Sequence, residues 1–265
     1  MRPIRLAIHG AAGRMGLRLI ALGHRDPDLE MVAALESAQH PSLGQDAGHA
    51  AGIGALGVAF RDELPDGVDA VIDFSLPAGA EAISRLCGQR QIPLVMATTG
   101  LDASQQQAVL AAAERTAVVW APNMSLAVNL TMKLAATAAE VLQRAGADAD
   151  VEIIERHHRF KADAPSGTAL QFGQTIASIL GQQRHVHGRQ GALGARPRDE
   201  IGYHALRVGD NPGEHTIVMG MLGETVELTV RATNRDCYAL GALTAAKFAV
   251  HQPPGRYTMR DVLGL

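Results

Sequence analysis

The run Ile4 to His9 (IRLAIH) is mostly apolar, stops at Gly10, and continues as GAAGRMG into a segment, Gly13 to Gly23, with Leu17, Ile20 and Ala21 on one helical side. A short apolar run of this kind reads as a strand buried on both faces, as in parallel sheets with helices above and below. The unit then recurs. Met31 to Leu35 ends at Glu36, a short strand lies near Val58 to Phe60, and Ala70 to Phe74 ends in Ser75-Leu76-Pro77 before a helix from Ala78 to Cys87. Leu94 to Ala97 runs into Thr98-Thr99-Gly100, the helix Ala103 to Ala113 follows, and Ala117 to Trp120 ends in Ala121-Pro122-Asn123. Repeated strand, polar turn and helix constrain this part to a parallel sheet covered on both faces. Only Ser37 to Gly57, glycine-rich and without periodicity, reads as a long loop.

Beyond Ser125 the pattern changes. A long helix from Leu126 to Gln143 precedes the alternating strand Val151 to Glu155, a polar segment to Ala164, and a helix after Ser166. Gln182 to Asp199 reads as a loop. Three strands, Ile201 to Val208, His215 to Met221 and Thr225 to Ala232, are separated by Asn211-Pro212-Gly213 and Gly223-Glu224, turns that favour antiparallel pairing. A last Ala-rich helix, Leu240 to Phe248, is of the sheet-covering type, so the C-terminus is expected to return to the first domain. The expected domains are 1–125 completed by 235–265, and 126–234.

At 265 residues the chain has room for two modest domains. Its net charge of -3 lacks the basic footprint that nucleic acid requires. Cys87 and Cys237 stand far apart with no metal-ligand spacing, so free thiols are expected and no metal site. The N-terminus has no signal-peptide core, and no stretch of about 18 apolar residues is uninterrupted, so a cytoplasmic protein with no membrane partner is expected.

Gly10, Gly13 and Gly16 lie between a strand and a helix. There Gly10 turns the chain, Gly13 lets a pyrophosphate reach backbone N–H groups, and Gly16 lets the helix pack close to the sheet. The Gly-x-x-Gly-x-x-Gly spacing is permissive and also suits packing alone or another nucleotide. Glu36, twenty residues after Gly16 at a strand end, is placed to accept the ribose hydroxyls of NAD. Ser37 follows it where an arginine would compensate a 2′-phosphate, which favours NADH over NADPH, with Arg14 the residue most able to change that balance. Thr98, Thr99 and Asn123 fall at carboxyl ends of strands, where parallel sheets bind ligands.

The densest chemistry is ERHHRFKADAPSGT, residues 155–168. His157 or His158, with Lys161 a few residues on, offers a proton donor beside a cationic anchor. Ser166-Gly167-Thr168 opens a helix and forms a carboxylate receptor, which together with Lys161 points to a small anionic substrate, dicarboxylates included. The histidines could instead bind metal, but no third ligand stands at suitable spacing. His185, His187 and Arg189 read as solvent-facing loop residues rather than members of the site, Arg235 and Lys247 similarly, and Asp261 as a cap or ion pair. A small-acid dehydrogenase and a redox-sensing dinucleotide-binding regulator are the competing readings.

These segments together with ATTG at 97–100, APNMS at 121–125, GEHT at 213–216 and MRDVL at 259–263 resemble the bacterial 4-hydroxy-tetrahydrodipicolinate reductase family, also called dihydrodipicolinate reductase, over the full length. The resemblance implies an α/β chain with a Rossmann-like parallel-sheet domain plus an α+β substrate-binding and oligomerisation domain with a mixed sheet, assembled as a homotetramer. It implies His157 as proton donor and acceptor, Lys161 as the second catalytic group, and His158, Gly167 and Thr168 as holders of a dicarboxylate substrate. Cofactor contacts carry over to Gly10, Ala11, Ala12, Gly13, Arg14, Met15, Glu36, Ala97, Thr98, Thr99, Ala121, Pro122, Asn123 and Met124. The cofactor implied is NADH or NADPH. Two positions depart from the family pattern: Ser37 where arginine accompanies good use of NADPH, and Ala97 in place of a usual glycine.

Overall fold

Short apolar runs punctuated by glycine, proline and capping residues set the elements of the first part of the chain. The computed structural model describes residues 2–265; Met1, the first residue of the segment read for targeting, lies outside the described residues. β1 (Ile4–His9) leads to α1 (Arg14–Gly23), β2 (Leu29–Leu35), the single turn α2 (Ala47–Ala50), β3 (Phe60–Arg61), β4 (Ala70–Asp73), α3 (Pro77–Arg90), β5 (Leu94–Met96), α4 (Ala103–Ala113) and β6 (Ala117–Trp120). Pro77 opens α3, where its missing N–H is no loss, and Asp102 with Gln105 forms a capping box on α4. There follow α5 (Leu126–Arg144), β7 (Asp150–His157), α6 (Gly167–Leu180), β8 (Arg184–His187), β9 (Glu200–Arg207), β10 (Gly213–Met221) and β11 (Glu224–Ala232), then α7 (Asp236–Ala249), β12 (Gly255–Tyr257) and α8 (Met259–Leu263).

The chain divides into two compact units, one running through Leu126 and resuming at Arg235–Leu265, the other Ala127–Asn234. The first holds a seven-stranded sheet of order β12-β6-β5-β4-β1-β2-β3, parallel throughout. Strand order runs outward in opposite directions from β1 and β4, so the switch point, where ligands bind in such sheets, lies at the carboxyl ends of these two strands. Side chains alternate between two cores. Leu6, Ile8, Ile72, Val95 and Val119 pack with α1 and α7, whereas Ala7, Val71, Leu94, Met96 and Val118 pack with α3 and α4. α7 is built for close approach, with Ala239, Ala242, Ala245, Ala246 and Ala249 fully buried. A Cβ at Gly241 would lie 1.7 Å from the Met124 carbonyl oxygen.

The second unit is a five-stranded mixed sheet of order β11-β10-β7-β9-β8. β10 is antiparallel to both β11 and β7, while β9 is parallel to β7 and β8. One face packs Val151, Ile153, Tyr203, Ile217 and Met219 against Val128, Ala135 and Ala139 of α5 and Phe172 and Ile176 of α6. Gly173 makes room for Tyr203, whose hydroxyl would lie 1.8 Å from a Cβ there.

Three expectations need correction. The strand at 201–208 is not antiparallel to its successor: the Asn211-Pro212-Gly213 turn leads β10 past β9 to pair with β7. Gln182 to Asp199 is not all loop, because β8 forms an edge strand on β9, with Tyr203 stacked on both His185 and His187 and its hydroxyl 2.7 Å from His185 Nδ1. Within Ser37 to Gly57 a polar cap replaces apolar periodicity: the Asp46 carboxylate accepts from the amides of His49, Leu56 and Gly57 and so folds the segment around α2. Those backbone donors, opposed by some desolvation, hold its pKa at about 2.

Candidate active site

At the switch point of the first unit, Gly10 has φ +74°, and a Cβ there would sit 2.7 Å from the Phe74 carbonyl oxygen. Gly16 is more constrained still, since a Cβ would meet the Gly10 oxygen at 2.3 Å and Ala11 Cα at 2.5 Å. Gly13 is the N-cap of α1 and no side chain caps that terminus; its first turn carries Arg14 and Met15 and no acid. Backbone donors at the positive end of a helix are the chemistry a pyrophosphate requires. Glu36, directly after β2, accepts a 2.7 Å hydrogen bond from the Ala12 amide, which holds its carboxylate against the same turn. The glycine turn and its acid therefore fit a dinucleotide.

Ala97, Thr98 and Thr99 follow β5, and Ala121, Pro122, Asn123 and Met124 follow β6, all at the carboxyl edge. Thr98 is turned inward: its hydroxyl donates to Asp73 Oδ2 at 2.6 Å, so backbone and the exposed Thr99 are what this turn presents outward. Asp73 is wholly buried and also faces His9 Nδ1 at 2.6 Å and the Ser75 amide at 3.3 Å. Sequence reasoning missed both Asp73 and His9. Their signal was available, since both occupy the last position of a switch-point strand. The Asn123 side chain accepts from the Ser125 amide, and Met124 is buried in the core.

In the second unit three strands converge beside α6. Register sets His215 of β10 opposite Glu155 and Arg207 of β9 opposite His157, while Glu155 and His157, two apart on β7, share one face. Glu155 and His157 are buried, with His157 Nδ1 hydrogen-bonded to Glu155 Oε2. Arg207 grips the same carboxylate with two nitrogens, at 2.9 and 2.8 Å, and donates a further bond to the Asp163 carbonyl. The Ser166 amide donates to Glu155 Oε1 at 3.1 Å. Burial alone would raise the Glu155 carboxyl; hydrogen bonds from His157 and Arg207 reverse that and hold it at about 2. His215 is pushed down to about 4, first by burial and then by the charge of His157, and its Nε2 is 3.0 Å from Ser166 Oγ. The rings of His157 and His215 meet edge-on at 5.2 Å.

Ser166 caps α6, its Oγ accepting from the Ala169 amide, and Gly167 and Thr168 form the first turn with no acidic residue among them. Lys161 donates to Asp163 at 2.8 Å, with its own amide bonded to the His158 carbonyl. His158 is half-buried next to Phe160. The structure thus brings His157, His158, Lys161, Gly167 and Thr168 into one end of one unit. Glu155, Arg207 and His215 complete the cluster and were not singled out from sequence. Arg207 was hidden because its parallel pairing with β7 was not readable, whereas Glu155 stood two residues from His157 throughout. Among the described residues no group of three His, Cys, Asp or Glu is arranged to hold a metal ion. The outlying polar residues have structural partners: Arg189 bonds Glu152 and Glu200, Lys247 bonds Asp26 and Asp28, and Asp261 caps α8 through Thr258.

Comparison with known proteins points the same way. Residues 4–124 match the family model for the N-terminus of dihydrodipicolinate reductase, and residues 127–263 match that for its C-terminus. The 4-hydroxy-tetrahydrodipicolinate reductase of Rhodopirellula baltica is 56% identical, covering 99% of this chain and 97% of its own. Its counterpart in Halorhodospira halophila is 46% identical over 98% of each. The dipicolinate-bound dihydrodipicolinate reductase from Paenisporosarcina sp. TG-14 superposes with a TM-score of 0.76 at 27% identity, over 97% of each chain. With both halves matched and relatives this close across its whole length, the chain belongs to the dihydrodipicolinate reductase family.

Proposed function

We propose that this chain reduces 4-hydroxy-tetrahydrodipicolinate, through its dehydrated form, to tetrahydrodipicolinate with release of water and consumption of NAD(P)H and a proton, on the route to diaminopimelate and lysine. The observation that carries this reading is the buried histidine beside an open helix N-terminus: His157 fixed by Glu155, next to the Ser166-capped start of α6. The nicotinamide supplies hydride when bound. His157, with Nδ1 engaged by Glu155, uses Nε2 to deliver the ring proton that balances hydride addition. Lys161 places positive charge where electrons accumulate in the ring. The amides of Gly167 and Thr168, with His158, receive a substrate carboxylate at the positive end of α6.

The first unit binds the cofactor through Gly10, Ala11, Ala12, Gly13, Arg14 and Met15, with Ala97 to Thr99 and Ala121 to Met124 on the nicotinamide half. NADH is the better cofactor. The Glu36 carboxylate, anchored by the Ala12 amide, pairs well with ribose hydroxyls and repels a 2′-phosphate, and Ser37 offers no compensating charge. Copies of the chain join as a homotetramer through the sheet face of the second unit opposite α5 and α6, where Ile154 of β7 and Leu206 of β9 are exposed as diagonal neighbours on one face, Ile154 lying opposite His204. The site of action is the cytoplasm.

The test is a pair of variants, His157→Gln and Lys161→Ala. Each is expected to bind NADH as the unmodified protein does and to lose turnover by about 10²–10⁴-fold, the usual worth of positioned acid–base groups. Wild-type rates in both would refute the assignment.

A further inference from the structure

We propose that Glu155, clamped by Arg207, is a positioning residue for His157, fixing both the direction of the imidazole and the nitrogen from which its proton leaves. The proposal rests on the reading of His157 as proton donor and adds to it the buried ion pair that holds the imidazole from its Nδ1 side.

Glu155 is 1% exposed and its carboxylate is saturated. Oε2 accepts from His157 Nδ1 and Arg207 Nη1; Oε1 accepts from Arg207 Nη2 and the Ser166 amide. Two carboxylate oxygens offer about four acceptor positions, so four donors leave the group no rotational freedom. The imidazole attached to it inherits that rigidity. Charge balance alone does not call for this arrangement, because the bidentate Arg207 pair already neutralises the carboxylate and a buried ion pair adds little stability over apolar residues of equal volume. The added imidazole contact has a chemical consequence instead. A positively charged His157 donates Nδ1–H to Glu155, and loss of the Nε2 proton leaves the neutral Nδ1–H tautomer, the one Glu155 already accepts. Proton delivery then needs neither ring rotation nor tautomer exchange.

The clamp reaches further. Arg207 also donates to the carbonyl of Asp163, whose side chain holds Lys161, and Glu155 itself accepts from the residue that caps α6. One buried ion pair therefore ties the proton donor to the segment bearing the second cation and to the carboxylate receptor. Glu155→Gln keeps shape and an acceptor for Ser166 but presents an amide N–H₂ where Nδ1–H or Arg207 must donate.

The experiment compares the unmodified protein, Glu155→Gln and His157→Gln for NADH binding, KM and kcat on the dicarboxylate, and the far-downfield imidazole N–H resonance that a buried histidine–carboxylate bond produces. Glu155→Gln is expected to bind NADH unchanged, hold KM, lose about 10²-fold or more in kcat, and lose the downfield proton. A slow His157→Gln with Glu155→Gln at wild-type kcat overturns the positioning role alone. A fast His157→Gln overturns the reading of His157 and this proposal with it. Should Glu155→Gln fail to fold, Arg207→Lys carries the test, since it leaves carboxylate and imidazole in place and removes the fork. A kcat lower by about tenfold at unchanged KM supports the clamp, and an unchanged kcat overturns it.

Discussion

Lowering the pH from 7 to 5 should destabilise the second unit through His215, a buried residue outside the proposed catalytic pair. Its pKa falls from 6.5 to about 4, chiefly because burial penalises the charged ring, then because of the charge on His157 and Lys161, with Glu155 and Glu214 opposing. The unfolded chain takes up a proton on His215 near pH 6.5 while the folded chain resists until about pH 4, so stability rises with pH in this window and is lost on acidification. With those two values the linkage amounts to about 2 kcal/mol between pH 7 and 5, reaching about 3 kcal/mol by pH 4. Its side chain is almost completely enclosed, 4% exposed, so solvent screening does not dilute the effect. The assay is urea denaturation of the unmodified protein and of His215→Asn, whose amide can still bond Ser166, at pH 7 and pH 5. The unmodified protein should lose about 2 kcal/mol more than the variant across that interval. Equal losses would refute the argument that His215 is held neutral by burial.

Two further outcomes follow from the first unit. Gly16→Ala forces a Cβ to within 2.3 Å of the Gly10 oxygen, so the glycine turn itself must move; a stability cost of about 1–3 kcal/mol and at least about tenfold weaker NADH binding by fluorescence titration are expected. Ser37→Arg places a guanidinium beside Glu36 and should shift the ratio of kcat/KM towards NADPH by about tenfold, readable in paired steady-state assays, whereas an unmoved ratio would remove Ser37 from the account of cofactor choice.

How much of this could be read from the sequence depended on range. The parallel sheet was legible because each strand, turn and helix is a local unit, and α4 spans Ala103–Ala113, the range expected for it. Residues that share one strand, such as Glu155 and His157, or one helix start, such as Ser166 to Thr168, were likewise within reach. What failed was long-range pairing. Nothing local to Arg207 or His215 shows that β7 lies between them, and the turn at 211–213 gave a misleading hint of a simple hairpin. The Asp46 turn escaped for another reason: it is held by one carboxylate and backbone amides, which leave no apolar period to detect. Thr98 shows the limit at the level of one side chain, since its position was right for a ligand while its hydroxyl is committed to Asp73.

The most direct test of the central claim is a steady-state assay of the unmodified protein on freshly generated 4-hydroxy-tetrahydrodipicolinate, with NADH and NADPH in parallel and pyridine nucleotide oxidation followed by absorbance. The account predicts substrate-dependent oxidation of both, with the higher kcat/KM for NADH. Oxidation of neither cofactor would contradict the proposed reaction, and a marked preference for NADPH would contradict the role given to Glu36 and Ser37.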